Sequence, residues 1–253
     1  MASNSRQRRP THRHTDPTPR RADPAACRAR GVPTPQHARA ARLSYDSFMS
    51  ETAASTPSDE NARYKRAIRA AEEMFKRVGF RAVTMEMVAR EANVAKATLY
   101  SYFKNKDELF IAVSARMARI LRGGVEQALA KPDMALDERL TEAVISKHRL
   151  IFTLVRGSAH AAELFSYTHE MAGDIFAELD TQILRLLADA LSTDPAFAPR
   201  ADQLARALYF GSAQLASRCE SVASMESELR SFSAVHLTGA RAFRVFPNTS
   251  DSH

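Results

Sequence analysis

The sequence predicts an all-α chain, and three observations carry that expectation. Apolar residues recur at steps of three and four from Ala62 onward, the spacing of one face of a helix. Seven of the eleven prolines fall within residues 1–60, and glycines number only eight, so long stretches beyond are free of helix breakers. No segment alternates apolar and polar residues as a half-buried strand does, and no internal repeat is visible.

Composition narrows the class further. An apolar share of 45% suffices for a packed core and argues against wholesale disorder. The two cysteines, Cys27 and Cys219, fit neither a disulfide framework nor a cysteine-based metal site, which points to a reducing, cytoplasmic setting. No apolar run reaches the roughly 18 residues of a membrane span, and the Arg- and Pro-rich start lacks the apolar stretch of a secretory signal, so no membrane partner is expected. The net charge of +7 is unevenly placed. Residues 1–48 hold ten Arg against three Asp, and residues 61–106 hold eleven Lys or Arg against four Glu, whereas residues 107–253 are mildly acidic. A compact basic module beside an acidic body suggests a head that binds a polyanion.

In chain order, residues 1–60 read as a disordered tail, because Pro, Arg, Thr and Ser bury too little surface to offset the entropy of ordering. Met49 is a second candidate start that removes the tail's charge. Tyr64, Ala67, Ile68, Ala71, Met74, Phe75 and Val78 then form one apolar stripe, closed by Gly79 where positive φ is wanted. Thr84 caps a second helix with Met87, Val88 and Ala92 inside. Asn93 tolerates the left-handed turn that follows. A third short helix carries Leu99, Tyr102 and Phe103. Asn105 and Glu108 read as a capping pair opening a fourth helix, with Gly123 and Gly124 where it bends or ends. Further helices are expected near 136–156, 159–170, 171–191, 200–220 and 226–244.

Residues 85–104 have the requirements of a helix-turn-helix: small Ala89 where the helices cross, Asn93 in the turn, and Val88, Ala92, Val94 and Leu99 pinning the second helix to the first. The runs Ala71 to Phe80, Thr84 to Ala92, and Val94-Ala95-Lys96-Ala97-Thr98-Leu99-Tyr100-Ser101-Tyr102-Phe103-Lys104-Asn105-Lys106 resemble the DNA-binding domain of the TetR family over about 50 residues. The family usually has Gly at Asn93 and Ser at Ala95; the second change removes an N-cap, a loss of roughly 1 kcal/mol.

The resemblance implies a three-helix DNA-binding domain over 61–106, an effector-binding and dimerisation bundle over 107–245, and a disordered end at 246–253. It also implies the contacts. Thr84 offers a hydroxyl or helix-end N–H to a phosphate. Lys96 donates to guanine, and the methyls of Ala97 and Thr98 lie against thymine. Tyr100 and Lys106 hold the backbone of the operator, and Ser101 and Tyr102 face the groove. Partners would be double-stranded operator DNA and a second copy of the chain, joined through the last two helices. Met117, Leu121, Phe152, Phe165, Tyr167, Phe176 and Tyr209 are candidates to line an effector pocket, whose Met and aromatic character suits an apolar or aromatic small molecule.

Two other functions compete. A nucleoid or architectural DNA binder fits the basic tail and predicts sequence-blind, salt-sensitive binding. An enzyme on a helical bundle has little support: no nucleophile–base pair, phosphate loop or paired-carboxylate motif is found. His148, His160 and His169 lack the one-turn spacing of helical metal ligands, so neither metal nor cofactor is expected. The reading is therefore a sequence-specific transcriptional regulator, of the repressor type released from a palindromic operator by a small molecule.

Overall fold

A computed structural model describes residues 59–156 and 158–242. The Arg/Pro-rich segment to residue 58, with Cys27 and Met49, lies outside the described residues, as do Gly157 and the end from residue 243. Among the described residues every regular element is helical. They are α1 (Asp59–Val78), α2 (Met85–Glu91), α3 (Lys96–Tyr102), α4 (Lys106–Leu129), α5 (Leu136–Arg156), α6 (Ala161–Ser192), a 3₁₀ turn (Ala198–Arg200), α7 (Ala201–Arg218) and α8 (Val222–Ala242).

Helix α1 takes in Asp59 and Glu60, so it starts two residues before the expected edge of the tail. Those acids at its first turn, and Lys76 and Arg77 at its last, complement the helix dipole. Gly79 ends it with φ +88°, and its N–H donates to Phe75 O at 3.1 Å. A Cβ at this position would lie 2.8 Å from His160 Nδ1, so the glycine is required by both backbone and space.

Helix α4 opens on Asn105, whose Oδ1 accepts from Glu108 N at 2.8 Å, while Glu108 Oε2 accepts from Lys104 N at 2.8 Å. The expected break at Gly123-Gly124 is absent: α4 runs through both without interruption. Two glycines weaken a helix by about 1 kcal/mol each, but Leu121, Val125 and Ala128 around them are buried. That burial outweighs the loss. The irregularity lies elsewhere. The helices expected at 159–170 and 171–191 are one, α6, bent at Ala172 (φ −127°, ψ 15°).

Helices α4 to α8 form the bundle, with α5 and α6 against α4, α7 against α6, and α8 against α5 and α7. Leu140, Ile145, Ile183, Leu187, Leu191 and Leu208 are fully buried in it, each contributing roughly 1.5–3 kcal/mol. Arg241 closes one end: it pairs with Asp137 and Asp194 at 2.6 and 2.7 Å and lies 4.2 Å from the Phe197 ring centroid. Among the described residues no helix is long and apolar enough to cross a membrane.

Candidate nucleic-acid interface and ligand cavity

Helices α1, α2 and α3 surround one small core. Val88, Ala89, Ala92 and Leu99 are buried where α2 meets α3, and Val94 is half-buried in the turn. Asn93 adopts φ +52°, the left-handed geometry expected of it. Thr84 caps α2, its Oγ1 accepting from Met87 N at 3.3 Å. Ala95 stands at the start of α3 with no side-chain cap, so α3 is held by tertiary packing instead.

With Leu99 inward, α3 leaves Lys96, Ala97, Tyr100 and Ser101 exposed and Thr98 half-exposed on one outer face. The structure therefore brings these five together beside Thr84, at the N-terminus of α2. Lys96 is not idle: its Nζ lies 2.5 Å from Glu86 Oε1 and 5.7 Å from the Tyr100 ring centroid. The hydrogen bond to Glu86 raises the Lys96 pKa, and the same bond lowers that of Glu86. Sequence reading missed Glu86, whose position next to the cap Thr84 was the available signal.

Two predicted contacts are placed differently. Lys106 points into the protein: its ammonium donates to the carbonyls of Phe80, Arg81 and Val83 at 2.7, 3.1 and 2.9 Å and sits over the Phe80 ring. All three of its protons are taken, which clamps the loop before α2. Burial lowers its pKa. Tyr102 is half-buried, edge-on to Tyr64, and donates its hydroxyl proton to Glu60 O at 3.3 Å. It belongs to the α1–α3 seam more than to the outer face. Arg63 and Arg66, both exposed, lie close enough to act on its charge.

A family model described as bacterial regulatory proteins of the tetR family matches residues 67–113, from α1 into α4. Over this head the chain is similar to the TetR family. A HTH-type transcriptional regulator of Bacillus subtilis, YhgD, is 31% identical over 116 residues, 46% of this chain and 52% of the relative. The HTH-type transcriptional activator FasR of Mycolicibacterium smegmatis is 41% identical over 73 residues, 29% of this chain and 32% of that one. The chain thus spans about half or less of these curated relatives. A TetR-family transcriptional regulator from Streptomyces coelicolor is similar in fold beyond the head, with a TM-score of 0.55 at 22% identity, covering 76% of this chain and 95% of that one.

The TetR-type head is joined to the bundle through α4 and the first turns of α6. Phe75, Phe80, Phe110 and Tyr167 form one ring cluster with centroids 4.6 to 5.6 Å apart between successive members. Around it, Arg81 Nε donates to Tyr167 Oη at 2.9 Å, Arg81 N donates to Glu163 Oε1 at 3.2 Å, and Ser158 Oγ donates to Lys76 O at 2.8 Å. Tyr167, expected in an effector pocket, is therefore part of the seam.

A small cavity lies deeper in the bundle, between α4, α5, α6 and α7, with a volume of about 10 Å³, room for about one water molecule. Its walls are Val125, Ala143, Val144, Ile183 and Leu187 on the apolar side, and Lys147, His148, Tyr209 and Ser212 on the polar side. Of the seven residues expected to line a pocket, Tyr209 alone does so. Leu121 is buried in the core, Met117, Phe152 and Phe176 are half-buried against it, and the Phe165 side chain lies outside the described residues. The Met and aromatic lining is replaced by branched aliphatics and a charged residue.

The polar side is a connected group. Tyr209 donates its phenolic proton to Asp180. Ser212 Oγ donates to Tyr209 O at 2.9 Å, so the 2.9 Å contact from His148 Nε2 to Ser212 Oγ assigns the imidazole proton to Nε2. Burial, reinforced by the neighbouring Lys147 charge, lowers the His148 pKa to about 3, which keeps the ring neutral. The Lys147 ammonium rests 3.3 Å from the Tyr209 ring centroid. Burial lowers its pKa to about 8, and Asp180 opposes that shift without forming an ion pair. A sequence signal existed: Lys147 occupies the stripe position after Leu140, Ala143 and Val144, where a helix with this pattern wants an apolar residue.

Proposed function

We propose that the protein is a homodimeric transcriptional repressor, released from a palindromic operator by a small-molecule effector that binds the helical bundle. One observation carries the reading: α4 and α6 each contribute to the cavity walls, through Val125 and through Ile183 and Leu187, and each also grips the DNA-binding head, through Lys106 and through Glu163 and Tyr167. A molecule that alters the packing of these two helices biases the head's position by its differential affinity for the two arrangements.

The contact roles follow the outer face of α3. Lys96 leaves Glu86 to donate to a guanine, and Ala97 and Thr98 meet a thymine methyl. Thr84, Tyr100 and Ser101 hold the phosphate backbone and groove edge. Two heads must sit about one DNA turn apart, which a two-fold dimer supplies. The last two helices suit that dimer. Gly211 and Ser212 are used inside the chain, since a Cβ at Gly211 would clash with the Phe232 ring. But Phe210 and Val235 project outward, 52% and 70% exposed, on α7 and α8. Ser231, Ala234 and Thr238, within a turn of Val235 on α8, are uncharged and also exposed. Large apolar side chains exposed on both of the last two helices suit a second copy of the chain.

Footprinting on the DNA flanking the protein's own gene tests this. Two protected half-sites related by a two-fold axis, and a rise in transcription when the gene is deleted, are the expected results. Uniform protection without a preferred site would favour the architectural reading, and a fall in transcription on deletion would make the protein an activator.

A further inference from the structure

The outer face of α3 is shared with a carboxylate, an odd group for a surface that meets DNA. Glu86 is the second residue of α2 and Lys96 the first of α3. The N-terminal turns of the two helices meet, so Glu86 Oε1 and Lys96 Nζ stand 2.5 Å apart. Both side chains are more than half exposed. An exposed ion pair adds little to stability, so the fold does not need this one. The carboxylate is nonetheless well held. Hydrogen bonds from Lys96, from its own backbone N–H and from the Thr84 hydroxyl lower its pKa. Glu86 is thus an ionised group fixed between Thr84 and Lys96, two residues expected to touch the operator.

DNA binding puts this carboxylate in difficulty. Once Lys96 turns to guanine, Glu86 loses its partner while facing a polyanion, and an acceptor left unpaired at a closed interface is costly. The major groove offers it few donors: the N4 amino group of cytosine and the N6 amino group of adenine. Cytosine N4 lies beside guanine O6 on the same base pair.

We propose that Glu86 is a specificity-determining residue, reading one G·C base pair jointly with Lys96: the ammonium donates to guanine O6 and N7, and the carboxylate accepts from cytosine N4–H. The proposal rests on the operator recognition proposed above. Its consequence is a fixed orientation. Lysine alone is a point charge on a flexible stem and can follow guanine to either strand. Glu86, shorter and tied to the start of α2, cannot follow. The reversed pair sets the cytosine amino group against the ammonium and the guanine acceptors against the carboxylate, so both contacts become repulsive. Thymine on the Lys96 side offers one acceptor and a methyl group, and adenine there sets its amino group beside the ammonium.

The test starts from the site that the full-length wild type selects from a pool of random duplexes. Affinity is then measured by fluorescence anisotropy for all four base pairs at each half-site position, with wild type, Lys96→Ala and Glu86→Ala. Thermal midpoints of the same samples report folding. Wild type is expected to rank G·C best and reversed C·G worst at one position, roughly tenfold or more apart. Both variants should flatten that same position, while unrelated DNA binds more weakly to Lys96→Ala and more tightly to Glu86→Ala. Undiminished discrimination in Glu86→Ala, flattening at a different position from Lys96→Ala, or a best base pair containing adenine would each overturn the joint reading while leaving operator recognition intact. Selection of no preferred site would refute operator recognition and this proposal together.

Discussion

Replacing Lys147 with Met should make the protein more stable at neutral pH, and the gain should vanish in alkali. The magnitude follows from the burial of the ammonium. Its pKa falls from 10.5 to about 8 in the folded chain, and each unit is worth about 1.36 kcal/mol. Below pH 8 the folded and unfolded states both carry the proton, and the folded state bears the full cost, about 3 kcal/mol. Between pH 8 and 10.5 the unfolded chain binds more protons than the folded one, so stability rises with pH across that window. Above it both states are neutral and the cost is gone. Methionine keeps the length and the contact with the Tyr209 ring without the charge, as apolar replacements of buried charges often do to advantage.

The assay is thermal or urea unfolding of wild type and Lys147→Met at equal protomer concentration, since a dimer's midpoint depends on it. For a chain of this size about 3 kcal/mol corresponds to a midpoint higher by roughly 6–12 °C at pH 7, closing toward zero near pH 10.5. Tyr209 also holds its proton above the usual range in the fold, which lowers stability as pH rises above 10. That contribution is common to both proteins and cancels in the difference. A destabilised variant, or a gain that stays constant with pH, would refute the claim that Lys147 is a buried cation without compensation.

Other outcomes follow from the head. Lys96→Ala should weaken the operator by roughly 1–3 kcal/mol and relax preference at one base pair, read by footprinting against a panel of altered sites. Glu86→Gln, which removes an exposed carboxylate beside the same face, should strengthen binding to all sequences and steepen the salt dependence, read by filter binding across salt concentrations. Lys106→Met should lower stability by about 2 kcal/mol, because three carbonyls lose a charged donor, yet leave the salt slope unchanged; a slope reduced by about one would restore a phosphate contact. Gly123→Ala, whose Cβ meets nothing within 4 Å, should stabilise α4 by about 1 kcal/mol without altering DNA release.

Much of the head was legible because its determinants are local. A capping threonine, an asparagine in a left-handed turn and a stripe of buried aliphatics each act within a few residues, and each was found at its expected place. The clamp made by Lys106 was not legible, for the opposite reason. Its partners, the carbonyls of Phe80 to Val83, stand more than twenty residues earlier. Spacing along one helix says nothing about a side chain that reaches back across a loop. The cavity was misread likewise. Large apolar residues at helical spacing mark a core, and Met117, Leu121, Phe152 and Phe176 are used there. A cavity is where four helices fail to fill space, and its polar members, Lys147, His148, Tyr209 and Ser212, come from two helices more than fifty residues apart. What marked the place in the sequence was a charge that interrupts an apolar stripe, a signal that composition and periodicity average away.

The bend in α6 ties these parts together. At Ala172 the helix departs from helical φ and ψ, with the residue itself fully buried. Glu163 and Tyr167, on the seam with the head, lie before the bend; Asp180, Ile183 and Leu187, around the cavity, lie after it. A straight helix would carry a shift at the cavity rigidly to the head. A helix already bent has one place where the two segments can turn against each other, and Gly173 beside it has free space around its missing Cβ. Gly173→Ala fills that space and favours regular helix by about 1 kcal/mol, so it should stiffen the joint. The expected result is unchanged operator affinity without ligand and an altered ligand concentration for half-release. Equal half-release in the variant would mean that coupling passes through α4 alone, whose uninterrupted run from Lys106 to Leu129 offers the other rigid path.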